Sequence, residues 1–355
     1  MLRLRCAALS MTAFSTQHNT LNRKSRPVLS GALIPHSISL MPSSRYLTAL
    51  FLLSTVPGLG TPITLLSPDK RLRVSVDLGE KISYSVAVSG TALLQNSYLQ
   101  LNLANQHLGE RPHLRRKSVA AVNTTSQPVV PFANRTVANT YNLLKLEFSN
   151  DFSVEFRAYN DGVAYRFSTT KKDSLEVRSE DVQLHFAAPV ETAYLETGSF
   201  KTAYEILYKR QPLQEVSREK MSVLPILFDT QKYKILFSEA DLYDYPGLFV
   251  KAVDGQTVRA TFPQAPAQFG PDGDRSMKIV REAPYLAKTA GTRTFPWRFL
   301  VITDYDTQLA ANQMVYKLST PNQLQDTQWI KPGQVTWEWW HNAYVYGVDF
   351  KSGYN

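Results

Sequence analysis

The sequence predicts a mostly β protein: a large antiparallel β-sandwich, followed by the opening strand of a second domain. From residue 65 onward, apolar side chains recur chiefly at every second position, which is the period of a strand with one buried face. Only the segment 307–318 has a helical face, and many short strands with so little helix are typical of a sandwich. Near the end, Trp337, Trp339 and Trp340 form a cluster of large rings, which need partners to bury against and so indicate a new domain.

Two hairpins show the clearest alternation. In the first, the chain turns at Gly79 between residues 72–78 and 82–88, and each arm has one apolar face. In the second, the Asn-Asp-Gly sequence at 160–162 predicts a tight turn, because these residues tolerate positive φ. The predicted strands are 72–78, 82–88, 152–159, 163–167, 182–186, 224–228, 233–238, 248–252, 257–262 and 297–302.

Linker sequences mark the end of the sandwich. One helix is predicted over 307–318, and stretches rich in turn residues follow at 319–323 and 331–333. The β-branched and aromatic run at 335–340 suits the first strand of a barrel. The predicted parts are a leader at 1–60, a sandwich domain at 62–325 and the start of a truncated barrel domain at 326–355.

The positive charge of the chain is concentrated in its leader. The formal net charge is +9, and residues 1–60 hold six of the 39 basic residues and no acidic residue. The rest of the chain therefore carries a net charge of only +3. A mixed surface of this kind argues against a nucleic-acid partner.

Residues 41–60 have the pattern of a secretory signal peptide. A short basic region precedes an apolar run of ten residues at 47–56, and small residues spaced for signal peptidase follow at 57–60. Ten apolar residues are too few for a membrane span, which needs about 20. Residues 1–40 lack apolar periodicity, so translation from Met41 explains them better than a folded segment does. We expect a periplasmic or secreted protein without a membrane span.

The sequence contains no established catalytic motif: it has no P-loop, no nucleophile elbow and no zinc-protease helix. The single cysteine, Cys6, lies in the leader, which removes thiol chemistry from the mature chain. The histidines lack metal-ligand spacing. Among them His341 has the best claim to an active-site role, because it follows the tryptophan cluster.

Carboxylates and aromatic rings offer more chemistry. Glu205 lies between Tyr204 and Tyr208, and it can bind a hard cation such as calcium or simply face solvent or pair with a basic side chain. The acidic segment 239–247 suits a solvent-facing turn, but also a calcium or sugar-hydroxyl site. The rings at 337–340 suit stacking on a sugar or the core of a barrel. The residues alone leave these alternatives open.

Five sequence blocks occur in an order that points to one family. They are Leu-Ser-Pro-Asp at 66–69, Tyr-Asn-Asp-Gly-Val-Ala-Tyr-Arg-Phe at 159–167, Ser-Glu-Ala-Asp-Leu-Tyr-Asp-Tyr-Pro-Gly at 238–247, Pro-Trp-Arg at 296–298, and the closing Trp-Glu-Trp-Trp with Tyr-Gly-Val-Asp-Phe-Lys within 337–351. From about residue 65 to its end, the chain resembles glycoside hydrolase family 97. These are bacterial α-glucosidases and α-galactosidases.

This resemblance implies a signal peptide, a galactose-mutarotase-like super-sandwich, a catalytic (β/α)₈ barrel and one calcium ion near the reaction centre. It implies that Glu205, which lies ten residues before Glu215, is the calcium ligand supplied by the sandwich, with the barrel completing the ligand set. The family's catalytic carboxylates lie on later barrel strands, so no catalytic residue is expected in this chain. Trp339, Trp340 and His341 are the expected sugar contacts.

We therefore expect the N-terminal carbohydrate-binding and supporting domain of an exported, calcium-dependent α-glycosidase. Its substrate would be an α-linked oligosaccharide or glycoside, and the chain would be inactive without its barrel. Without neighbouring strands, the rings of 326–355 should face solvent. A weak calcium-dependent thermal stabilisation, lost on Glu205→Ala, would favour the calcium site. The alternative is a non-catalytic carbohydrate-binding or scaffolding module that acts through a face of the sandwich.

Overall fold

The alternating segments pair into two large antiparallel sheets that share one apolar core. The structure is a computed structural model that describes residues 61–334 except residues 203 and 275. The strands are β1 (Ile63–Leu66), β2 (Leu72–Leu78), β3 (Ile82–Val88), β4 (Thr91–Leu103), β5 (His107–Leu108), β6 (Leu114–Ser126), β7 (Val137–Phe148), β8 (Phe152–Tyr159), β9 (Gly162–Thr170), β10 (Leu175–His185), β11 (Glu191–Tyr194), β12 (Lys209–Pro212), β13 (Met221–Ser222), β14 (Ile226–Asp229), β15 (Lys234–Ala240), β16 (Phe249–Ala252), β17 (Thr257–Thr261), β18 (Pro266–Asp272), β19 (Ser276–Glu282), β20 (Ala287–Thr289), β21 (Thr292–Thr294) and β22 (Trp297–Thr303). The helices are α1 (Asp306–Ala310), α2 (Met314–Leu318) and a 3-10 turn at Leu213–Glu215.

Each large sheet draws strands from distant parts of the chain. The first has the order β1-β2-β3-β4-β10-β17-β16-β13, with β5 beside β4 and β20 beside β10. The second has the order β12-β11-β14-β15-β22-β9-β8-β7-β6, with β21 beside β9. Within the described residues, all of these pairs are antiparallel. Strands β18 and β19 form a separate hairpin with mostly exposed side chains.

Aromatic rings from both sheets meet in the core. Tyr84 of β3 lies 5.9 Å from the ring of Phe156 and 5.4 Å from the ring of Tyr165, between ring centroids, and both partners belong to the second sheet. Elsewhere Phe186, just after β10, lies 4.6 Å from Phe228 of β14. These tilted contacts suit the charge distribution of aromatic rings and join the inner faces of the two sheets. The predicted antiparallel β-sandwich is confirmed.

The predicted strands at 72–78 and 82–88 coincide with β2 and β3. Three long strands were not predicted. Strand β4 pairs with β3 in the first sheet, and β6 and β7 lie in the second sheet. Bulges shift the pairing of β3 with β4 and so break the two-residue period. Strand β6 is exposed along almost its whole length, because it forms the last strand of the second sheet, and an exposed strand has no apolar face to detect.

The turn at 160–162 forms as predicted but for a different reason. Residues Tyr159 and Gly162 pair across it, and none of its residues has a positive φ. Positive φ occurs instead at Asn150 and Asp151, in the turn before β8. Gly162 is required by close packing: a Cβ atom there would lie 2.2 Å from the carbonyl oxygen of Leu300 on β22.

The single helix predicted over 307–318 is wrong, because the chain forms two short helices separated at residues 311–313. The side-chain oxygen of Asn312 accepts a hydrogen bond from the Met314 N–H at 2.8 Å, a local turn that competes with a continuous helix. Met314 and Leu318 then bury against Trp297 and other side chains on the outer face of the second sheet. Strand β22 is consequently buried on both faces.

The predicted sandwich domain at 62–325 contains every described strand. The leader at 1–60 lies outside the described residues, and so does the predicted barrel strand from residue 335 onward, so both remain predictions. Within the described part, no helix is long and apolar enough to cross a membrane.

We predict that Gly162→Ala lowers the free energy of unfolding by about 2–3 kcal/mol, because the added Cβ would collide with the backbone of β22. Urea denaturation monitored by circular dichroism measures the change. Gly79→Ala is the matched control: no atom lies within 4 Å of its Cβ position, and the expected change is within about 0.5 kcal/mol. Equal losses in the two variants would contradict the close-packing explanation.

Candidate functional site

The predicted calcium ligand, Glu205, lies in the connection between β11 and β12. Its side chain belongs to an exposed residue in a segment without regular secondary structure, 200–208, which we call the Glu205 loop. Trp339, Trp340 and His341 fall outside the described residues, so their role as sugar contacts remains a prediction.

Aromatic side chains hold the Glu205 loop in place. The rings of Phe200 and Tyr204 lie 4.9 and 6.2 Å from the ring of Phe249 on β16, between centroids. The Tyr204 hydroxyl donates a hydrogen bond to the Phe200 carbonyl at 3.1 Å, and the Tyr208 hydroxyl donates one to the Pro225 carbonyl at 3.0 Å. The loop is therefore fixed on both sides of Glu205.

The surface around Glu205 is unusually apolar. Leu207 is 87% exposed, and Tyr204, Ile206 and Tyr208 are also exposed. Scattered apolar residues on a surface are ordinary, but a consecutive group of them marks a surface that another molecule or domain covers. The Glu205 loop has the character of an interface.

The exposed hairpin β18–β19 lies beside this loop. The Lys201 ammonium contacts the Asp272 carboxylate near the tip of the hairpin. Like the loop, the hairpin exposes large apolar side chains. They are Phe269, Met277, Ile279 and Val280. The tip of the hairpin therefore lies next to the start of the loop, and both segments expose apolar side chains.

Within residues 61–334, no group of three or more His, Cys, Asp or Glu side chains is arranged to hold a metal ion. Calcium takes six to eight oxygen ligands, so Glu205 can supply only part of a site. The carboxylate is accessible and lies in a fixed loop, which suits a ligand that completes a site formed largely by another domain.

The acidic segment 239–247 is not a solvent-facing turn at its first two acids. Glu239 accepts a hydrogen bond from the Leu248 N–H at 3.1 Å and another from Arg298. Asp241 accepts hydrogen bonds from the backbone N–H and the hydroxyl of Thr320, at 2.8 and 3.1 Å. Both acids therefore have structural partners, and among the described residues no metal-binding group of acids and histidines includes them.

Arg298 joins the two sheets through a buried ion pair. From β22 it donates two hydrogen bonds to Glu180 on β10 of the first sheet, with Nε–Oε1 at 3.0 Å and Nη2–Oε2 at 2.7 Å. Its third nitrogen, Nη1, donates to Glu239 on β15. The side chains of Arg298 and Glu180 are almost fully buried. This two-bond geometry is one that only a guanidinium provides.

The network acts differently on its groups, since burial outweighs the attraction of Arg298 at Glu239 and raises the pKa of that carboxyl. Burial by itself lowers the pKa of Arg298, but the nearby carboxylates of Glu180 and Glu239 outweigh burial and hold that pKa above its ordinary value. Arg298 therefore stays charged. The desolvation of a buried ion pair costs much free energy, which offsets the attraction between its charges. Removal of one partner leaves the other charge buried and unpaired, and this lowers the stability of the fold strongly.

On the opposite face of β22, Trp297 is fully buried between two cations. The guanidinium carbons of Arg157 and Arg166 lie 4.2 and 4.3 Å from its ring centroid. Such contacts are favourable because the face of an indole ring is electron-rich. The Pro-Trp-Arg block thus has two structural roles, which sequence reasoning missed because Glu180 is 118 residues away from Arg298.

Comparison with known families identifies similar proteins. A family model described as Glycosyl-hydrolase 97 N-terminal matches residues 65–321. A retaining alpha-galactosidase of Bacteroides thetaiotaomicron is 33% identical over 307 residues, which are 82% of this chain and 46% of that protein. The chain thus spans about half the length of this curated relative.

Solved structures show the same fold. A glycoside hydrolase family 97 enzyme from Pseudoalteromonas sp. strain K8, in complex with acarbose, superposes with a TM-score of 0.69 at 20% identity, over 82% of this chain and 43% of its own. A variant of that enzyme in complex with panose gives the same TM-score, identity and coverage.

We predict that Arg298→Lys lowers the free energy of unfolding by about 3 kcal/mol, because lysine keeps the charge but cannot make both bonds to Glu180. Urea denaturation measures the loss. Arg116→Lys is the matched control, since Arg116 also makes two bonds to one carboxylate, that of Glu147, but on the surface. Its expected change is below about 0.5 kcal/mol. Similar losses in both variants would contradict the importance of burial.

Proposed function

The chain belongs to glycoside hydrolase family 97 through its N-terminal region, and from that premise we propose that it supports the catalytic domain of an exported, calcium-dependent α-glycosidase. In this proposal the Glu205 loop docks on the catalytic domain. Glu205 then supplies one carboxylate to a calcium site that the other domain completes. The sandwich does no bond-breaking chemistry itself.

The observation that carries this proposal is the position of Glu205 within an exposed apolar loop. An isolated acid on a polar surface would be solvated, and it would tell nothing about a partner. Here Ile206 and Leu207 follow it directly and face solvent, although burial would stabilise them. A domain that covers these side chains would also exclude water from Glu205 and strengthen its bond to a cation.

The residues present fit a calcium site in type. A glutamate carboxylate is a hard oxygen ligand and binds calcium through one or both oxygens. When bound near a glycosidic bond, calcium would polarise the leaving oxygen or orient the sugar. The part of Glu205 is to hold that ion at a fixed distance from the sandwich, because aromatic contacts anchor its loop.

For the substrate we infer an α-linked sugar, with an α-galactoside as the first choice. The Bacteroides relative, at 33% identity, is named a retaining alpha-galactosidase. Retention requires a carboxylate nucleophile and an acid about 5–5.5 Å apart. In the described residues, Glu180 and Glu239 meet at Arg298, but both are buried and held by its guanidinium. In this proposal the catalytic pair comes from the other domain.

Export is part of the same proposal. It is supported by the basic, apolar and small-residue pattern at 41–60 and by the absence of cysteine from the chain after that segment. Without cysteine in this part of the chain, its folding does not depend on disulfides and so is compatible with an exported protein.

The calcium role can be tested in a hybrid enzyme. Residues 61–334 would replace the matching region of the Bacteroides alpha-galactosidase, and hydrolysis of an α-galactoside would be measured against calcium concentration. We expect Glu205→Gln to raise the calcium concentration for half-maximal activity about tenfold, because one charged ligand is lost. Glu219→Gln, at another exposed glutamate, should leave it unchanged. A folded, active hybrid in which both variants respond alike would refute the role of Glu205.

The purified 355-residue chain should not release p-nitrophenol from p-nitrophenyl α-D-galactopyranoside. The reason is that, in this proposal, the catalytic carboxylates belong to the other domain. A colorimetric assay with long incubation checks this, with the Bacteroides enzyme as positive control. Hydrolysis that rises in proportion to the concentration of the chain, after two different purification routes, would overturn the supporting role.

A further inference from the structure

The β18–β19 hairpin leaves the sandwich as a two-stranded arm. Its strands pair with each other, and within the described residues they pair with no strand of the two large sheets. Every residue of β19 is exposed, and so are five of the seven residues of β18. A two-stranded hairpin is marginally stable in water by itself, so among the described residues this arm lacks the packing that normally stabilises one.

Strand pairing gives the arm one apolar face. Phe269 lies opposite Ile279 and Pro271 lies opposite Met277. Because side chains alternate between the two faces of a strand, these four residues share a face, which we call the open face. Phe269, Met277 and Ile279 are 56, 59 and 44% exposed. Their burial would be favourable, at about 25 cal/mol for each Å² removed from water.

The opposite face of the hairpin has partners within the chain. Val280 packs over Gly270, where a Cβ atom would lie 2.8 Å from the Val280 Cγ1. Asp272, on the same face as Gly270, contacts the Lys201 ammonium at the start of the Glu205 loop. Lys201 lies four residues before Glu205, so their Cα atoms are at most about 14 Å apart. The open face therefore points away from the contact between the hairpin and its own domain.

A second copy of the chain is a poor partner for the open face alone. A half-exposed large side chain offers about 100 Å² of surface, so the four residues supply about 400 Å². A stable dimer buries about 800 Å² on each partner. A partner that covers the Glu205 loop as well comes close to that area, because the loop adds four exposed side chains. They are Tyr204, Ile206, Leu207 and Tyr208.

We propose that the open face of the β18–β19 hairpin packs against the catalytic domain, as a second contact beside the Glu205 loop. The identity of this partner rests on the proposed function. The match covers only 46% of the Bacteroides relative, so a large part of such an enzyme remains to cover the hairpin. Since Lys201 places the tip of the hairpin next to the loop, a domain that docks on Glu205 also meets the hairpin. Two contacts then keep the domains from pivoting about the calcium site.

Oxidation of Met277 by hydrogen peroxide tests the proposal. Methionine sulfoxide is located by mass spectrometry of peptides, and an exposed methionine forms it faster than a buried one. In the purified 355-residue chain we expect Met277 to oxidise rapidly, whereas Met314, which is 1% exposed, should stay reduced. In the hybrid of residues 61–334 with the rest of the Bacteroides alpha-galactosidase, the rate at Met277 should fall about fivefold or more, because the open face is covered.

Met277→Lys and Val119→Lys form a matched pair of variants. Each places a charge on an exposed strand residue, since Met277 is 59% and Val119 60% exposed. Neither should shift the urea midpoint of the 355-residue chain. In the hybrid at saturating calcium, Met277→Lys should shorten the half-life of activity at elevated temperature about threefold, because a buried charge weakens the contact between the domains. Val119→Lys should leave that half-life unchanged.

Glu205→Gln at saturating calcium should leave Met277 protected in the hybrid, which separates this test from that of the calcium role. Four results would refute the proposal. They are slow oxidation of Met277 in the 355-residue chain, equal oxidation of Met277 in the chain and the hybrid, equal half-lives of the two lysine variants, and a dimer of the 355-residue chain that Met277→Lys dissociates. The last result would assign the open face to a second copy.

Discussion

The burial of β22 on both faces is the constraint on which the rest of this domain depends. Its inner face carries Arg298, which reaches across the core to Glu180 and joins the two sheets. Its outer face carries Trp297 and Val301, which α2 covers. Gly162, at the start of the neighbouring strand β9, packs so closely against β22 that a Cβ atom would not fit there. The β8–β9 turn and the helical segment are therefore fixed relative to β22.

Sequence periodicity predicted the fold class because two-residue alternation is a local property. The hairpin at 72–88 needed only neighbouring residues, and it was found with its bounds. Contacts between distant residues left no such pattern: the partner of Arg298 is 118 residues away, and bulged β4 and exposed β6 lack a regular apolar face. The helix over 307–318 was predicted as one because the turn in which Asn312 accepts a hydrogen bond from Met314 does not disturb helical spacing.

The candidate site also combines features that the sequence predicted with features that only the structure shows. Resemblance to a family pointed to Glu205, whereas its surroundings, an anchored loop with exposed Ile206 and Leu207, required the structure. At the acidic segment 239–247, the sequence suggested a solvent-facing turn or a ligand site. In the structure, Glu239 and Asp241 instead accept hydrogen bonds from other parts of the domain.

Strand β6 leaves a long edge of its sheet without a partner strand among the described residues. It has thirteen residues, and in the described part of the chain it is the outermost strand of its sheet. A long free edge invites a second molecule to add its own strand. Arg115, Arg116 and Lys117 lie along this one, so two such edges would bring like charges together. The basic run thus lets a sheet of this length end in solvent without recruiting a copy of itself.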